Sequence, residues 1–230
     1  MNTIDLIELI CSELTPTIKI NSQETNDGII SLSTGCTYWI TELDIIPIDG
    51  KYYKVVGLIR NSGISLSPIN SDDEIEVTEF KLEAPTFKHG TLKMTKNEID
   101  AKMDKEEITP LVWLQEPIRE RRLNDAESVI DRNTELRIYI LGSADTKNWL
   151  TEDHYNYILK PLETMVKLLV GKIENSRFFT EEFDYETTNL VNVSINGNQD
   201  NSIFDMNSSG IEFKLFAEIR KDLNCNSNNC

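Results

Sequence analysis

The chain has 230 residues, 39% of them hydrophobic and 27% charged, enough for one large domain or two small ones with a packed core. This composition excludes a wholly disordered chain, a collagen-like chain and a disulfide-dense mini-protein. With 39 Asp plus Glu against 23 Lys plus Arg the net charge is -16, a field that repels phosphate and argues against sequence-specific DNA binding.

The first element is a helix over Thr3 to Leu14, with Ile4, Ile7, Ile10, Cys11 and Leu14 at helical spacing and Pro16 just beyond. Acids sit inside this apolar stretch and no basic segment precedes it. Met1 to Glu8 therefore reads as an amphipathic helix and not a signal peptide, and the expected compartment of synthesis is a reducing cytoplasm. No run of about 18 apolar residues, the length a membrane-spanning helix needs, occurs anywhere. Strand character follows in Ile18 to Ile20, Ile29 to Leu32, Tyr38 to Ile46 and Lys51 to Arg60. Pro47-Ile48-Asp49-Gly50 supplies turn chemistry between the last two and predicts a hairpin. Asp72 to Glu83 holds six acids and one lysine. It reads as a strand with one strongly negative face, or as an acidic loop.

Thr95 to Glu107 predicts a charged helix anchored by Ile99 and Met103, with Pro110 after it. Leu111-Val112-Trp113-Leu114 is a short apolar run closed by Pro117, the pattern of a strand buried on both faces. Arg119-Glu120-Arg121-Arg122 follows, then a polar connection to Arg132, then a strand over Leu136 to Leu141. Thr151 is placed to cap a helix, with Glu152 and Asp153 in the first turn, where the dipole favours acids. Ile158, Leu162, Met165 and Leu169 form one helical stripe facing a core, and Pro161 predicts a kink or break near Leu159-Lys160. Leu190 to Ile195 and Ile211 to Ile219 alternate as strands around a polar loop, Asn196 to Asn201. The whole predicts an α+β fold, a mostly antiparallel sheet with helices packed on one face.

Catalytic signals are scarce. The chain has no phosphate-binding glycine loop, no dinucleotide fingerprint and no nucleophile elbow. Cys11 and Cys36 read as small core residues. Cys225 and Cys230 lie in an Asn-rich tail, there is no Cys-x-x-Cys, and His89 and His154 stand far apart, so neither a metal nor a cofactor is expected. His154 beside Asp153 is the one imaginable dyad, yet a first-turn histidine reads as half-exposed surface. His89 reads as a polar residue in a turn, with a loop contact to a partner as the alternative. Pairs such as Asp72-Asp73 and Glu181-Glu182 are what 39 acids produce by adjacency. No enzyme is expected. The Arg119, Arg121, Arg122 cluster is a basic island in an acidic chain. It is either a solvated loop or a surface that pairs with acids of a neighbouring copy, since arginine binds carboxylates in bidentate fashion.

Several segments carry a resemblance. They are Glu83 to Thr91 (Glu-Ala-Pro-Thr-Phe-Lys-His-Gly-Thr), Pro110 to Pro117 (Pro-Leu-Val-Trp-Leu-Gln-Glu-Pro), Leu136 to Leu141, Trp149 to Tyr155 (Trp-Leu-Thr-Glu-Asp-His-Tyr) and Ile158 to Leu162. Their order over residues 83 to 223 resembles structural proteins of tailed bacteriophages that infect Bacteroidetes hosts, including crAss-like phages. The resemblance implies a head-to-tail connector or tail-completion protein, with a tail-terminator-like α+β core that assembles as a cyclic ring of six or twelve copies. Such a ring lies in the neck or tail of the virion between portal and tail and lets DNA pass without sequence-specific contact. It implies further portal-side and tail-side ring proteins as partners, no membrane, and synthesis in the host cytoplasm. On this reading the chain divides into an N-terminal helix (1–16), a strand-rich elaboration (17–94), a ring-forming core (95–223) and a flexible polar tail (224–230). The expected interface residues are Arg119, Arg121 and Arg122 on one copy, with the acids Asp72, Asp73, Glu74 and Glu76 among the candidate surfaces offered to the next. The rival reading is a small acidic cytoplasmic adaptor or inhibitor that covers a basic protein surface; a third is a hydrolase built on His154 and Asp153.

Overall fold

A computed structural model describes residues 1–42, 44–70, 76–95, 110–123, 129–143, 150–190 and 208–221. The predicted helix beyond Thr95, the acids Asp72, Asp73 and Glu74, the loop Asn196 to Asn201 and the tail 224–230 lie outside the described residues, as does the predicted strand beyond Leu190. The chain folds into two compact units, one of Leu14–Ala84 and one of Met1–Glu13 with Pro85–Cys230.

Among the described residues of the Leu14–Ala84 unit, the regular structure is all strand. β1 (Thr17–Asn26), β2 (Ile29–Thr34), β3 (Ile45–Ile48), β4 (Lys51–Ile59), β5 (Gly63–Pro68) and β6 (Glu79–Lys81) form one antiparallel sheet in the order β3-β4-β5-β2-β1-β6. Alternation along β2 and β5 sends Ile30, Leu32, Ile64 and Leu66 into a core shared with Ile18, Ile46, Ile48, Tyr53, Val55 and Phe80. Two tight turns set the register. Asp27 and Gly28 (φ 50° and 77°) join β1 to β2, and Asp49 and Gly50 (φ 51° and 78°) join β3 to β4. Asp-Gly at these left-handed positions is the pairing that matches the twist of a two-residue hairpin. The predicted β3–β4 hairpin is therefore present.

The expected strand from Tyr38 is not: the strand begins at Ile45. Tyr38 takes a positive φ of 45°, and the Arg60 guanidinium donates to the Tyr38 and Ile40 carbonyls at 3.1 and 3.0 Å, occupying groups a ladder would need. Cys36, expected in the core, is half-buried.

The other unit is a mixed α+β layer. β7 (Thr86–Gly90), β8 (Leu111–Arg122), β9 (Ile130–Ser143), β10 (Phe179–Leu190) and β11 (Ser208–Arg220) form a sheet in the order β10-β11-β9-β8-β7. Only β7 and β8 run parallel; the remaining pairs are antiparallel. The alternation read from Ile211 to Ile219 is real: Ile211, Phe213, Leu215, Ala217 and Ile219 are buried beside Leu136, Ile138 and Ile140 of β9. The helices lie on that face. α1 (Thr3–Ser12) is capped by the Asn2 side chain, which accepts from the Asp5 N–H at 2.7 Å, and buries Leu6, Ile7, Ile10 and Cys11. The second helical stretch runs from α2 (Thr151–His154) through a π turn (Tyr155–Leu159) into α3 (Lys160–Glu174).

The expected disturbance by Pro161 takes the form of this π turn, without a break. The Lys160 N–H reaches back five residues to the Tyr155 carbonyl, which widens the helix just before a residue that has no N–H to donate. Ile158, Leu162, Met165 and Leu169 are all buried, as their spacing predicted. The cap differs: Leu150 occupies that place, and the Asp153 carboxylate accepts from its N–H at 3.0 Å.

The run Leu111 to Leu114 is buried on both faces. Val112 and Leu114 join the helix-side core, while Leu111 and Trp113 form a second cluster with Leu141, Leu92, Tyr139 and Leu190. The Trp113 ring stacks on Tyr139 at 4.9 Å, and its indole N–H donates to the Gly90 carbonyl at 3.2 Å. Pro117 does not close β8, which continues to Arg122. The four-residue step from Gln115 to Arg119 spans only Arg137 to Glu135 on β9. Proline, which cannot serve the ladder, sits in that bulge.

Candidate functional site

The extension of β8 carries the basic island out of the expected loop and onto a strand. Arg119, Arg121 and Arg122 pair in register with Glu135, Asn133 and Arg132 of β9. β7 accompanies β8 only from Leu111 to Gln115. Among the described residues, the outer edge of β8 from Glu116 to Arg122 therefore has no neighbouring strand. Arg119 is 80% exposed at its side chain and reaches Glu135 at 3.4 Å, while Arg121 and Arg122 are exposed without an ion pair among the described residues.

Register continues these rows across the sheet. Arg119 lies level with Glu135 of β9, Phe216 of β11 and Asp184 of β10; Arg121 lies level with Asn133 and Glu218. All of these positions share the face opposite the helices. They line an open basin of about 1050 Å³, to which Glu120, Glu181, Glu182, Phe183 and Ala217 also contribute. Arg119 and Arg121 share the basin with the carboxylates of Glu135, Glu181, Glu182, Asp184 and Glu218, and Phe216 stays 38% exposed among them. β10 bounds the sheet, and no strand pairs with its outer side among the described residues.

The island rests on a buried arginine. Arg132 is 6% exposed. Its guanidinium donates to Thr3 Oγ1 at 3.0 Å and the Met1 carbonyl at 3.1 Å, contacts Glu120 at 3.4 Å and pairs with the Asp131 carboxylate. Thr3 Oγ1 in turn donates to Glu120. This network ties α1 to β8 and β9, and a buried cation of this kind requires such partners.

Of the acids predicted for an interface, Glu76 is exposed in the Leu14–Ala84 unit; Asp72, Asp73 and Glu74 lie outside the described residues. The carboxylates that the sheet does bring to the arginines are Glu135, Glu181, Glu182, Asp184 and Glu218, which no sequence motif singles out. The alternation of Phe183, Tyr185 and Thr187 with Asp184, Glu186 and Thr188 was the available signal for β10.

The imagined dyad does not assemble. The Asp153 carboxylate is turned to the helix start, and His154 is buried, not half-exposed as expected, at 8% exposure. Its Nε2 has no hydrogen-bond partner among the described residues, and burial pushes its pKa below the usual value. His89 stands on β7 instead of in a turn, with Nδ1 3.0 Å from Glu116 Oε1. Among the described residues no group of three or more His, Cys, Asp or Glu is arranged to hold a metal, and no helix is long and apolar enough to cross a membrane.

Fold and site together define a mixed α+β sheet protein, helices on one side, whose open sheet end is charged. No protein-family model, no curated protein and no solved structure matches the chain.

Proposed function

We propose that this chain is a structural, non-enzymatic assembly subunit, and more specifically a tail-terminator-like protein that forms a cyclic ring in the neck or tail of a tailed phage. The observation that carries the assembly reading is the open end of the five-stranded sheet, where an exposed arginine cluster on β8 and an acid-rich boundary strand, β10, stand at opposite edges. Exposed strand edges are surfaces that accept other strands. The specific role rests on the resemblance of the segments between residues 83 and 223. A chain of charge -16 suits a channel lining, because a negative lumen repels phosphate and keeps DNA from adhering as it slides. Its partners are its own copies and the ring proteins above and below, and it needs neither metal nor cofactor. The strand-rich unit before Pro85 is an elaboration on the ring-forming core.

The rival, an acidic adaptor that masks a basic protein surface, draws on the five carboxylates that the basin presents beside Arg119 and Arg121. Light scattering across a concentration series separates the two. A ring subunit gives a closed multimer at high concentration, whereas an adaptor stays monomeric or dimeric throughout. The phage role has its own check: antibody against the purified chain should label intact particles at the neck or tail, and its absence from purified particles removes that role.

A further inference from the structure

The proposed assembly extends to the level of strands, and the strand junction rests on that assembly reading. Because β7 stops level with Gln115, it leaves a notch beside Glu116 to Arg122, where no strand pairs with β8 among the described residues. The strand lining this notch presents Arg119, Arg121 and Arg122, all exposed. At the far edge of the same sheet lies β10, twelve residues long, with Glu181, Glu182, Asp184 and Glu186 and no Lys or Arg at all. We propose that β10 of one copy enters the notch beside β8 of the next, continuing the sheet head to tail from subunit to subunit.

The signs of the two edges select this partner. A pair of β10 strands would set acid against acid, and a pair of β8 ends would set arginine against arginine; like charges directly opposite one another destabilise a strand pair. Each edge therefore rejects its own kind and accepts the other, which excludes a two-fold dimer through either edge and specifies a heterologous contact. Direction agrees as well. β8 is antiparallel to β9, β9 to β11 and β11 to β10, so β8 and β10 run in opposite senses. A sheet that carries on from β10 to the next β8 with the same face outward is antiparallel at the junction, and side chains of adjacent strands there lie about 5 Å apart. Exposed Tyr185 and Phe216 flank the acids of β10 and supply apolar area for the contact to cover.

The test uses the full chain in three forms. They are the wild type, the triple variant R119E/R121E/R122E, and the quadruple variant E181K/E182K/D184K/E186K, each checked for an unchanged far-ultraviolet dichroism spectrum. Sedimentation velocity then reads assembly for each form and for an equimolar mixture of the two variants. Each variant alone should self-associate about tenfold more weakly or worse, since three or four favourable pairs become repulsive. The mixture should recover assembly, because every junction between unlike variants again joins opposite charges. A wild type that assembles while both variants assemble equally well, or while the mixture stays dispersed, overturns the β8–β10 junction and leaves self-assembly standing. A wild type that stays monomeric at every concentration overturns the assembly reading itself.

Discussion

His154 is buried, at 8% exposure, and its Nε2 has no hydrogen-bond partner among the described residues. Burial lowers its pKa from the ordinary 6.5, because a low-dielectric site penalises the charged ring. The unfolded chain takes up a proton as pH falls through about 6.5, while the folded chain resists until a lower pH. The neutral ring's contribution is thus fully present above that value and is lost as pH falls from there toward the lowered pKa of the folded state. Thermal melts of wild type and His154→Gln between pH 8 and pH 5 isolate this term, since the other titrating groups are common to both. The wild-type melting temperature should fall relative to the variant as pH drops below about 6.5; a gap that does not change with pH refutes the account. Arg132, also buried, differs in its contacts: Thr3, Glu120, Asp131 and the Met1 carbonyl all meet its guanidinium.

At the scale of elements, β9 and β11 come close together at Gly210, which pairs with Leu141. A Cβ there would collide with the Ile140 carbonyl oxygen and lie 3.0 Å from both its carbon and the Leu141 Cα, all backbone atoms that no rotamer change can move. Gly210→Ala should therefore cost about 2 kcal/mol, or roughly 4–8 °C in melting temperature; an unchanged melt removes this close approach. β11 itself was legible because it is central and one face meets the core, so burial imposes a period of two on its residues. β10 was not. It is the boundary strand, buried among the described residues only at Phe179, so its aromatic–acid alternation marks no apolar core face. Pro117 read as a stop because a proline in a fully paired strand would forfeit a ladder bond. It stands where β8 bulges and has lost its outer neighbour, so the strand passes through it. The same asymmetry governs the site. The arginines stood out because they are adjacent in sequence, whereas the acids facing them arrive on β9, β10 and β11 by long-range register, which a linear pattern does not display.

Viewed as a whole molecule, the chain interrupts one unit with another: α1 belongs with β7 to β11, yet Leu14–Ala84 lies between them in sequence. The register of the inserted unit shows how it can be accommodated. β6, at its end, pairs antiparallel with β1, at its start, through Thr17 with Lys81 and Ile18 with Phe80. Two further bonds, Leu82 N–H to the Pro16 carbonyl at 3.0 Å and Ile20 N–H to the Thr78 carbonyl at 2.8 Å, hold the same pairing. The segment therefore leaves and returns at neighbouring points, the geometry that lets a domain be inserted without tearing its host. It also contains all six strands of its sheet and a core of its own, from Ile18 through Val55 and Leu66 to Phe80. A fragment of residues 14–84 should then fold alone, with dispersed amide resonances and a cooperative melt. It should be less stable than the parent chain, because so small a domain buries a smaller share of its surface and has no disulfide to compensate. Collapsed amide dispersion in that fragment would mean that the strands from Thr17 to Lys81 depend on the rest of the chain.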